Sequence, residues 1–174
     1  MQNLTLVKNF VPYKAQEYNQ ESNLYDLKDL AYSFVKLMYD HNMLYIIGPY
    51  VNIPYKFLAI RGYPQNFFCI NLKIVYFSQE QIELEETAWY VPGLIQKVTR
   101  PKLIRTRFKM ANGDVKTEKF EGLTARIIQQ AYDELNGIPF FKGMSKLKFD
   151  FYVKKAKKKG LEINNKLYNQ FLLK

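Results

Sequence analysis

A predicted β-hairpin followed directly by a helix is the feature that most constrains the fold. Two runs that alternate apolar and polar side chains flank a turn containing Asn112 and Gly113: residues 103–110 and 115–120. Asn and Gly both tolerate the positive φ angles that such turns require. A helical pattern then runs over 123–136 and ends at Gly137. The order of these elements favours a domain that contains both helices and antiparallel strands.

Other segments carry weaker signals of the same kind. Apolar residues recur with helical period over 24–40, and Asn23 is the predicted N-cap of that helix. Residues 56–61 and 69–77 are rich in Phe, Ile and Val and are predicted strands. A second late helix is predicted over 145–159, before Gly160.

The segment at the end of the predicted helix 123–136 carries the strongest resemblance to a known family. Residues 129–137 read Gln-Gln-Ala-Tyr-Asp-Glu-Leu-Asn-Gly, and they resemble the metal-binding helix Q-H-E-x-D-H-L-N-G of the peptide deformylases. In that pattern two histidines lie one helical turn apart, with a glutamate beside them to move protons. Here Gln130 and Glu134 stand at the histidine positions, and Ala131 stands at the glutamate position.

Further segments match the same family in the same order. Residues 85–93 resemble the pattern E-E-G-C-L-S-x-P-G, with Ala88 at the position of the cysteine that is the third metal ligand. Residues 43–52 align with G-x-G-L-A-A-P-Q-x-G, where Tyr45 replaces the second glycine and Tyr50 replaces the glutamine. Shorter matches fall at 98–101 and 121–126, so the resemblance covers roughly residues 4–158.

The resemblance implies a fold and a chemistry. The fold is α+β and peptide-deformylase-like, with mixed or antiparallel sheets around the central helix that carries the family's HExxH motif, and with a basic C-terminal helix. In the family a cysteine and two histidines hold a divalent metal, whose bound water attacks the formyl group of a nascent peptide. Of the groups involved, only the backbone N–H of Trp89 carries over, as an oxyanion donor. We therefore expect no catalytic residue, no metal and no other cofactor.

Large rings are concentrated at the altered positions. Tyr45, Tyr50, Trp89 and Tyr90 stand where the family has smaller side chains, and we expect them to fill the space of the metal and its ligands. Seven positions of the altered site are identified in this way: Tyr45, Tyr50, Ala88, Trp89, Gln130, Ala131 and Glu134.

The remaining acidic residues offer little for a new metal site. Glu85 and Glu86 are neighbours in an extended segment, so only one can face inward. Asp133 and Glu134 are adjacent on a helix and point about 100° apart.

Composition limits the setting of the chain. It has 174 residues, enough for one domain with a core, with a single cysteine and a single histidine. One cysteine allows no internal disulfide and fits a reducing compartment. Because the sequence also lacks a signal-peptide pattern and any apolar run of about 20 residues, we expect it in the cytoplasm, or within a virion if it is viral, and away from membranes.

Two features near the C-terminus suggest contacts with partners. The first is a group of eight lysines: Lys142, Lys146, Lys148, Lys154, Lys155, Lys157, Lys158 and Lys159. They form either a solvated helix face or a surface for phosphate backbones or acidic proteins. The second is an apolar face on the extension 160–174, beyond the predicted domain 1–159: Leu161, Leu167, Tyr168, Phe171 and Leu172. This face either docks on its own domain or contacts another chain.

The interpretation drawn from these patterns is a protein without enzymatic activity. We predict a catalytically inactive, deformylase-like component of a larger assembly, for example a phage or virus particle, that binds other protein subunits and no small-molecule substrate. One alternative is a protein that binds ribosomal RNA or the ribosome through the basic helix. The other is a hydrolase with a rearranged site.

Overall fold

The computed structural model describes residues 3–62 and 65–171, which form four α-helices and seven strands. The helices are α1 (Leu27–Asp40), α2 (Gly122–Leu135), α3 (Lys146–Lys158) and α4 (Asn165–Phe171). The strands are β1 (Tyr45–Ile47), β2 (Phe57–Ile60), β3 (Phe67–Phe77), β4 (Gln81–Glu86), β5 (Gln96–Pro101), β6 (Leu103–Lys109) and β7 (Val115–Glu121).

The strands form two antiparallel sheets. The larger sheet has the order β1-β2-β3-β6-β7, and β4 pairs only with β5 in the smaller one. Helix α2 contacts strands of both sheets, so it lies at the centre of the domain. The α+β fold with antiparallel sheets around a central helix is confirmed.

The hairpin and the central helix form as the sequence predicts. Strands β6 and β7 pair from Leu103 with Glu121 to Lys109 with Val115. The amide of Gly113 donates to the carbonyl of Met110 and closes the turn. Helix α2 is followed by Gly137 at a φ of 77°. A Cβ atom at Gly137 would lie 2.9 Å from the backbone nitrogen of Lys14, so the N-terminal segment can pass close to the helix end only because this residue is glycine.

Helix α1 starts later than the sequence predicts. Asp26, not Asn23, is its N-cap, and the Asp26 carboxylate accepts hydrogen bonds from the amides of Lys28 and Asp29. Asn23 has a φ of 47° and ends a short 3-10 turn. The prediction of Asn23 was wrong because both residues are good caps and only the chain path selects between them.

The C-terminal extension lies against the domain. Residues 161–164 of this extension are not helical, and α4 begins at Asn165. Leu167 is fully buried in the core, and the Asn164 side chain donates to the carbonyl oxygens of Asn9 and Phe10 at 2.6 and 3.3 Å. The ring of Phe171 meets Phe141 edge to face. Of the predicted apolar face, Leu172 and the side chain of Tyr168 lie outside the described residues.

Within the described ranges, no helix is both long enough and apolar enough to cross a membrane.

Candidate functional site

The centre of the site is the carboxyl group of Glu134, which three tyrosines surround. Tyr45 lies on β1, Tyr50 in a 3-10 turn at Gly48–Val51, and Tyr90 in the turn after β4. The hydroxyls of Tyr45 and Tyr50 donate to Glu134 Oε2, the former at 3.0 Å, and the Tyr90 hydroxyl donates to Oε1 at 3.0 Å. Glu134 and Tyr50 are fully buried. We call this group the tyrosine cluster of Glu134.

The environment of the cluster favours its neutral forms. Burial raises the pKa of Glu134 to about 7, although the hydrogen bonds from Tyr50, Tyr90 and Tyr45 lower it. Burial, followed by the Glu134 charge, raises the pKa of all three tyrosines well above the ordinary value. Burial therefore disfavours the charged form both of the carboxyl group and of the three hydroxyls.

An aromatic layer covers one side of the cluster. The ring of Phe10 meets Tyr50 edge to face at 4.9 Å and Tyr90 at 5.1 Å, and it stacks on Trp89 at 6.1 Å between ring centroids. The N–H of the Trp89 indole is buried without a hydrogen-bond partner in the part of the chain that the structure describes. Because Asn164 bonds the carbonyl of Phe10, the C-terminal extension supports this layer.

A second buried carboxylate, Glu86, lies in a network of charges. Arg100 donates to both oxygens of Glu86, from Nε at 2.6 Å and from Nη2 at 3.0 Å, and its Nη1 donates to Asp133 at 2.7 Å. Arg126 Nε lies 2.9 Å from the same carboxylate, close enough for an ion pair but outside hydrogen-bond geometry. The Nη atoms of Arg126 donate to backbone carbonyls of β4 and β5. This network joins the smaller sheet to α2.

The predictions about adjacent acidic residues are confirmed. Glu86 is buried, whereas Glu85 is exposed. Asp133 turns to Arg100, whereas Glu134 turns to the tyrosines.

The other altered positions lie beside the tyrosine cluster. Gln130 is buried, and its side-chain amide donates to the carbonyl of Thr87 at 2.9 Å, next to Ala88. Ala131 is fully buried and Ala88 packs against the core. Among the described residues, no three His, Cys, Asp or Glu side chains lie together in a way that could hold a metal ion.

A groove of about 570 Å³ opens beside the cluster. Its walls come from the segment after α1, from the turn after β4 and from α2, and they include His41, Leu44, Trp89, Ile95, Leu123 and Gln130. The hydroxyl-bearing rings of Tyr45 and Tyr50 also reach it. The rings of Tyr45 and Tyr50 thus lie between the buried Glu134 carboxyl group and an open outer groove.

Sequence reasoning found part of this site and missed part of it. The structure brings Tyr45, Tyr50 and Glu134 into contact and places Trp89 and Gln130 next to them. The reasoning missed Phe10, and it missed Arg100 and Arg126 as partners of Glu86 although both lie in segments that match the family.

The eight lysines are all exposed, along α3 and the loop before it. Lys148 bonds the Gln96 side chain at 2.7 Å. Of the aromatic residues on α3, Phe149 is fully buried, whereas Phe151 is 72% exposed and is not a core residue.

Comparison with known proteins identifies the family. The family described as "Polypeptide deformylase" matches residues 4–150. A peptide deformylase of a Wolbachia endosymbiont of Drosophila simulans (strain wRi) is 30% identical over 145 residues, which cover 76% of this chain and 81% of that protein. The chain belongs to the peptide deformylase family.

Other peptide deformylases match a shorter part of the chain or match it at lower sequence identity. The peptide deformylase of Wolbachia pipientis wMel is 37% identical over 97 residues, so that this match spans about half of each chain. The crystal structure of the class I type b peptide deformylase from Acinetobacter baumannii with Met-Ala-Ser bound is similar with a TM-score of 0.72 and 26% identity, over 80% of this chain and 98% of that one. The crystal structure of the peptide deformylase from Ehrlichia chaffeensis in complex with actinonin is similar with a TM-score of 0.73 and 29% identity, over 91% of this chain and 98% of that one.

Family membership corrects the function predicted from the sequence. The prediction of a protein without enzymatic activity, serving as a structural component of an assembly such as a virion, is wrong, because relatives matched over most of the chain are named as an enzyme. The alternative of an RNA-associated binding protein fits these relatives no better. The error came from reading the change of individual side chains as a change in the role of the whole domain. The expected partners stay predictions, as does the domain boundary at residue 159.

Proposed function

We propose that this protein is a peptide deformylase, a hydrolase that releases formate from the formylated N-terminus of a peptide. In this reaction the oxygen of water bonds to the formyl carbon, and the bond from that carbon to the peptide nitrogen breaks. The nitrogen gains a proton and becomes a free amine. The support is membership in a family whose members are named for this activity.

The groove beside the tyrosine cluster is the observation that indicates where the peptide would bind. It is walled by the two segments that match the family's motifs, 85–93 and the start of α2, and by the segment around Tyr45. An extended peptide end can enter such an open groove from solvent, whereas the buried Glu134 is out of its reach. We place the peptide N-terminus in this groove.

The rim of the groove suits an apolar side chain. Leu44, Ile95 and Leu123 all line it and are 50%, 52% and 63% exposed. Large apolar side chains that converge on one concave surface typically mark a binding site. A methionine side chain at the peptide N-terminus would cover this surface. By the family resemblance, the backbone N–H of Trp89 would bond the formyl oxygen.

We also propose that this member lacks the metal ligands of its family. Ala88 has no polar side-chain atom, the Gln130 amide is bonded to Thr87, and both Glu134 oxygens accept hydrogen bonds from tyrosines. This donor set does not fit an iron or zinc ion, which takes several thiolate, imidazole or carboxylate ligands. No step of the proposed reaction is therefore assigned to a metal.

Release of formate from a formyl-methionyl peptide tests the proposal. The full chain is assayed alone and with added Fe²⁺, Co²⁺, Ni²⁺ or Zn²⁺. Binding is followed in parallel by the fluorescence of Trp89, the single tryptophan, which lines the groove. We expect formate release above the rate in buffer and a change of fluorescence that saturates with peptide.

A matched pair of variants links the activity to the groove. Leu123→Glu places a charge on the rim, and we expect it to weaken peptide binding about tenfold or more, since a mispaired charge at an apolar contact costs more than about 1.4 kcal/mol. Leu24→Glu changes an equally exposed leucine, at 60%, away from the groove and should leave binding unchanged. If no formate is released under any of the metal conditions, the proposed hydrolase activity is wrong, even if the peptide binds.

A further inference from the structure

We infer that this protein holds no divalent metal where its family holds one, and that the tyrosine cluster of Glu134 occupies that place. The inference rests on family membership and not on the proposed activity. It concerns what fills the inner site and not whether formate is released.

The first argument is the saturation of the Glu134 carboxylate. Three hydroxyls from three separate segments converge on its two oxygens, and the hydroxyl oxygens of Tyr50 and Tyr45 lie 3.0 Å apart. A metal bound at this carboxylate would have to displace these donors from a fully buried position. Each displaced hydroxyl would then lack a partner, which is unfavourable in a core.

The second argument is that the side chains at the family's metal-ligand positions are poor metal ligands in this chain. At the family's cysteine position, Ala88 offers only a methyl group, and Ala131 offers the same at the glutamate position. The Gln130 side chain is directed to the Thr87 carbonyl. A lone carboxylate does not make a site for iron or zinc, which bind through three or more protein ligands.

The third argument concerns the tyrosines themselves. A tyrosine binds a transition metal well only after it loses its proton. The hydroxyls of Tyr45, Tyr50 and Tyr90 are hydrogen-bond donors to Glu134, and burial followed by the Glu134 charge raises the pKa of each above the ordinary value. They act as hydrogen-bond donors to the carboxylate and not as a replacement set of ligands.

Charge balance around the cluster agrees with this assignment. The buried cations Arg100 and Arg126 both pair with Glu86. The hydroxyls of the tyrosines give the buried carboxyl group its hydrogen-bond partners without an ion. The inner site is therefore complete without an ion.

The test is cobalt binding to the metal-stripped full chain. Protein incubated with excess Co²⁺ is separated from free ion, and the bound metal is measured by elemental analysis together with the visible absorption of bound cobalt. We expect no cobalt at this position, so that the metal content of the wild type and of Glu134→Gln is the same. Glu134→Gln keeps the shape of the side chain and removes its ability to ionise.

Two patterns would overturn the inference. The first pattern is the binding of about one cobalt ion per chain by the wild type and of none by Glu134→Gln, as expected for a metal site built on this carboxylate. The other is quenching of Trp89 fluorescence by stoichiometric Co²⁺ in the wild type alone. A small metal content that is equal in both proteins lies elsewhere and supports the inference. The cobalt assay and the formate assay can fail independently, so neither result decides the other.

Discussion

Glu86 and Glu134 are both buried carboxylates in one domain, but the fold stabilises them in opposite ways. Glu86 is bonded by Arg100, with Arg126 at ion-pair distance. Glu134 accepts hydrogen bonds from the neutral hydroxyls of Tyr45, Tyr50 and Tyr90. Cations favour the charged form of a buried carboxylate, whereas burial among neutral groups favours its protonated form.

The two carboxylates also differ in what they do for the fold. Glu86, Arg100 and Asp133 connect the smaller sheet to α2, and each depends on the others for its charge balance. Glu134 lies inside the site, and within the described residues no ion pair is formed by its carboxyl group. The comparison shows that ion pairs connect the smaller sheet to α2, whereas neutral hydroxyl groups bind the carboxyl group of the inner site.

The largest effect is expected at the charged carboxylate. Glu86→Gln removes the partner of two buried guanidinium groups, and we expect it to lower the free energy of unfolding by about 3–5 kcal/mol. Urea denaturation measures this change. Glu85→Gln is the matched control, because Glu85 is the exposed neighbour on the same strand, and it should change stability by less than about 0.5 kcal/mol. Equal effects of the two variants would contradict the assignment of the network.

The second effect is a pH dependence that belongs to Glu134. Its pKa rises from 4.5 to about 7 on folding, so the folded protein binds a proton that the unfolded chain has released. The stability contributed by this proton is fully present below about pH 4.5 and is lost as the pH rises through about 7. The wild type should therefore lose about 3 kcal/mol more than Glu134→Gln between pH 4.5 and pH 8. Parallel stability curves for the two proteins would contradict this expectation.

The smallest effect is expected when one neutral donor is removed. Tyr90→Phe deletes the hydroxyl that bonds Glu134 Oε1 at 3.0 Å, and it should destabilise the domain by about 1–2 kcal/mol at pH 8. The effect should shrink at pH 5, where the carboxyl group is protonated and needs fewer donors. Tyr76→Phe is the control, because the Tyr76 side chain is half exposed. A loss that does not depend on pH would mean that the Tyr90 hydroxyl does not respond to the ionisation of Glu134.

Local patterns predicted the parts of the fold that local forces determine. The hairpin β6–β7 and the helix α2 follow from alternation, a turn at Asn112 and Gly113, and a stop at Gly137. Strands β4 and β5 were not predicted because most of their residues are polar. They are held by pairing with each other and by the side chain of Arg126, which the sequence does not indicate.

The site shows the same division. The family resemblance placed Tyr45, Tyr50 and Glu134 at positions of the site, but it did not predict that they bond to one another. The contacts join residues 84 and 89 positions apart, and only the folded chain brings them together. For the same reason, sequence patterns do not indicate that Phe10 covers the cluster or that Arg100 and Arg126 flank Glu86.

Direct titration of the Glu134 carboxyl group tests the central claim of a buried carboxylate held by neutral donors. The protein is labelled with ¹³C at the glutamate side chains, and the carboxyl resonances are followed by NMR from pH 4 to pH 9, with Glu134→Gln used for assignment. We predict one resonance that is absent from this variant and titrates with a midpoint of about 7. A Glu134 midpoint near 4.5 or below would contradict the account, because it would show that burial among the tyrosines does not raise this pKa.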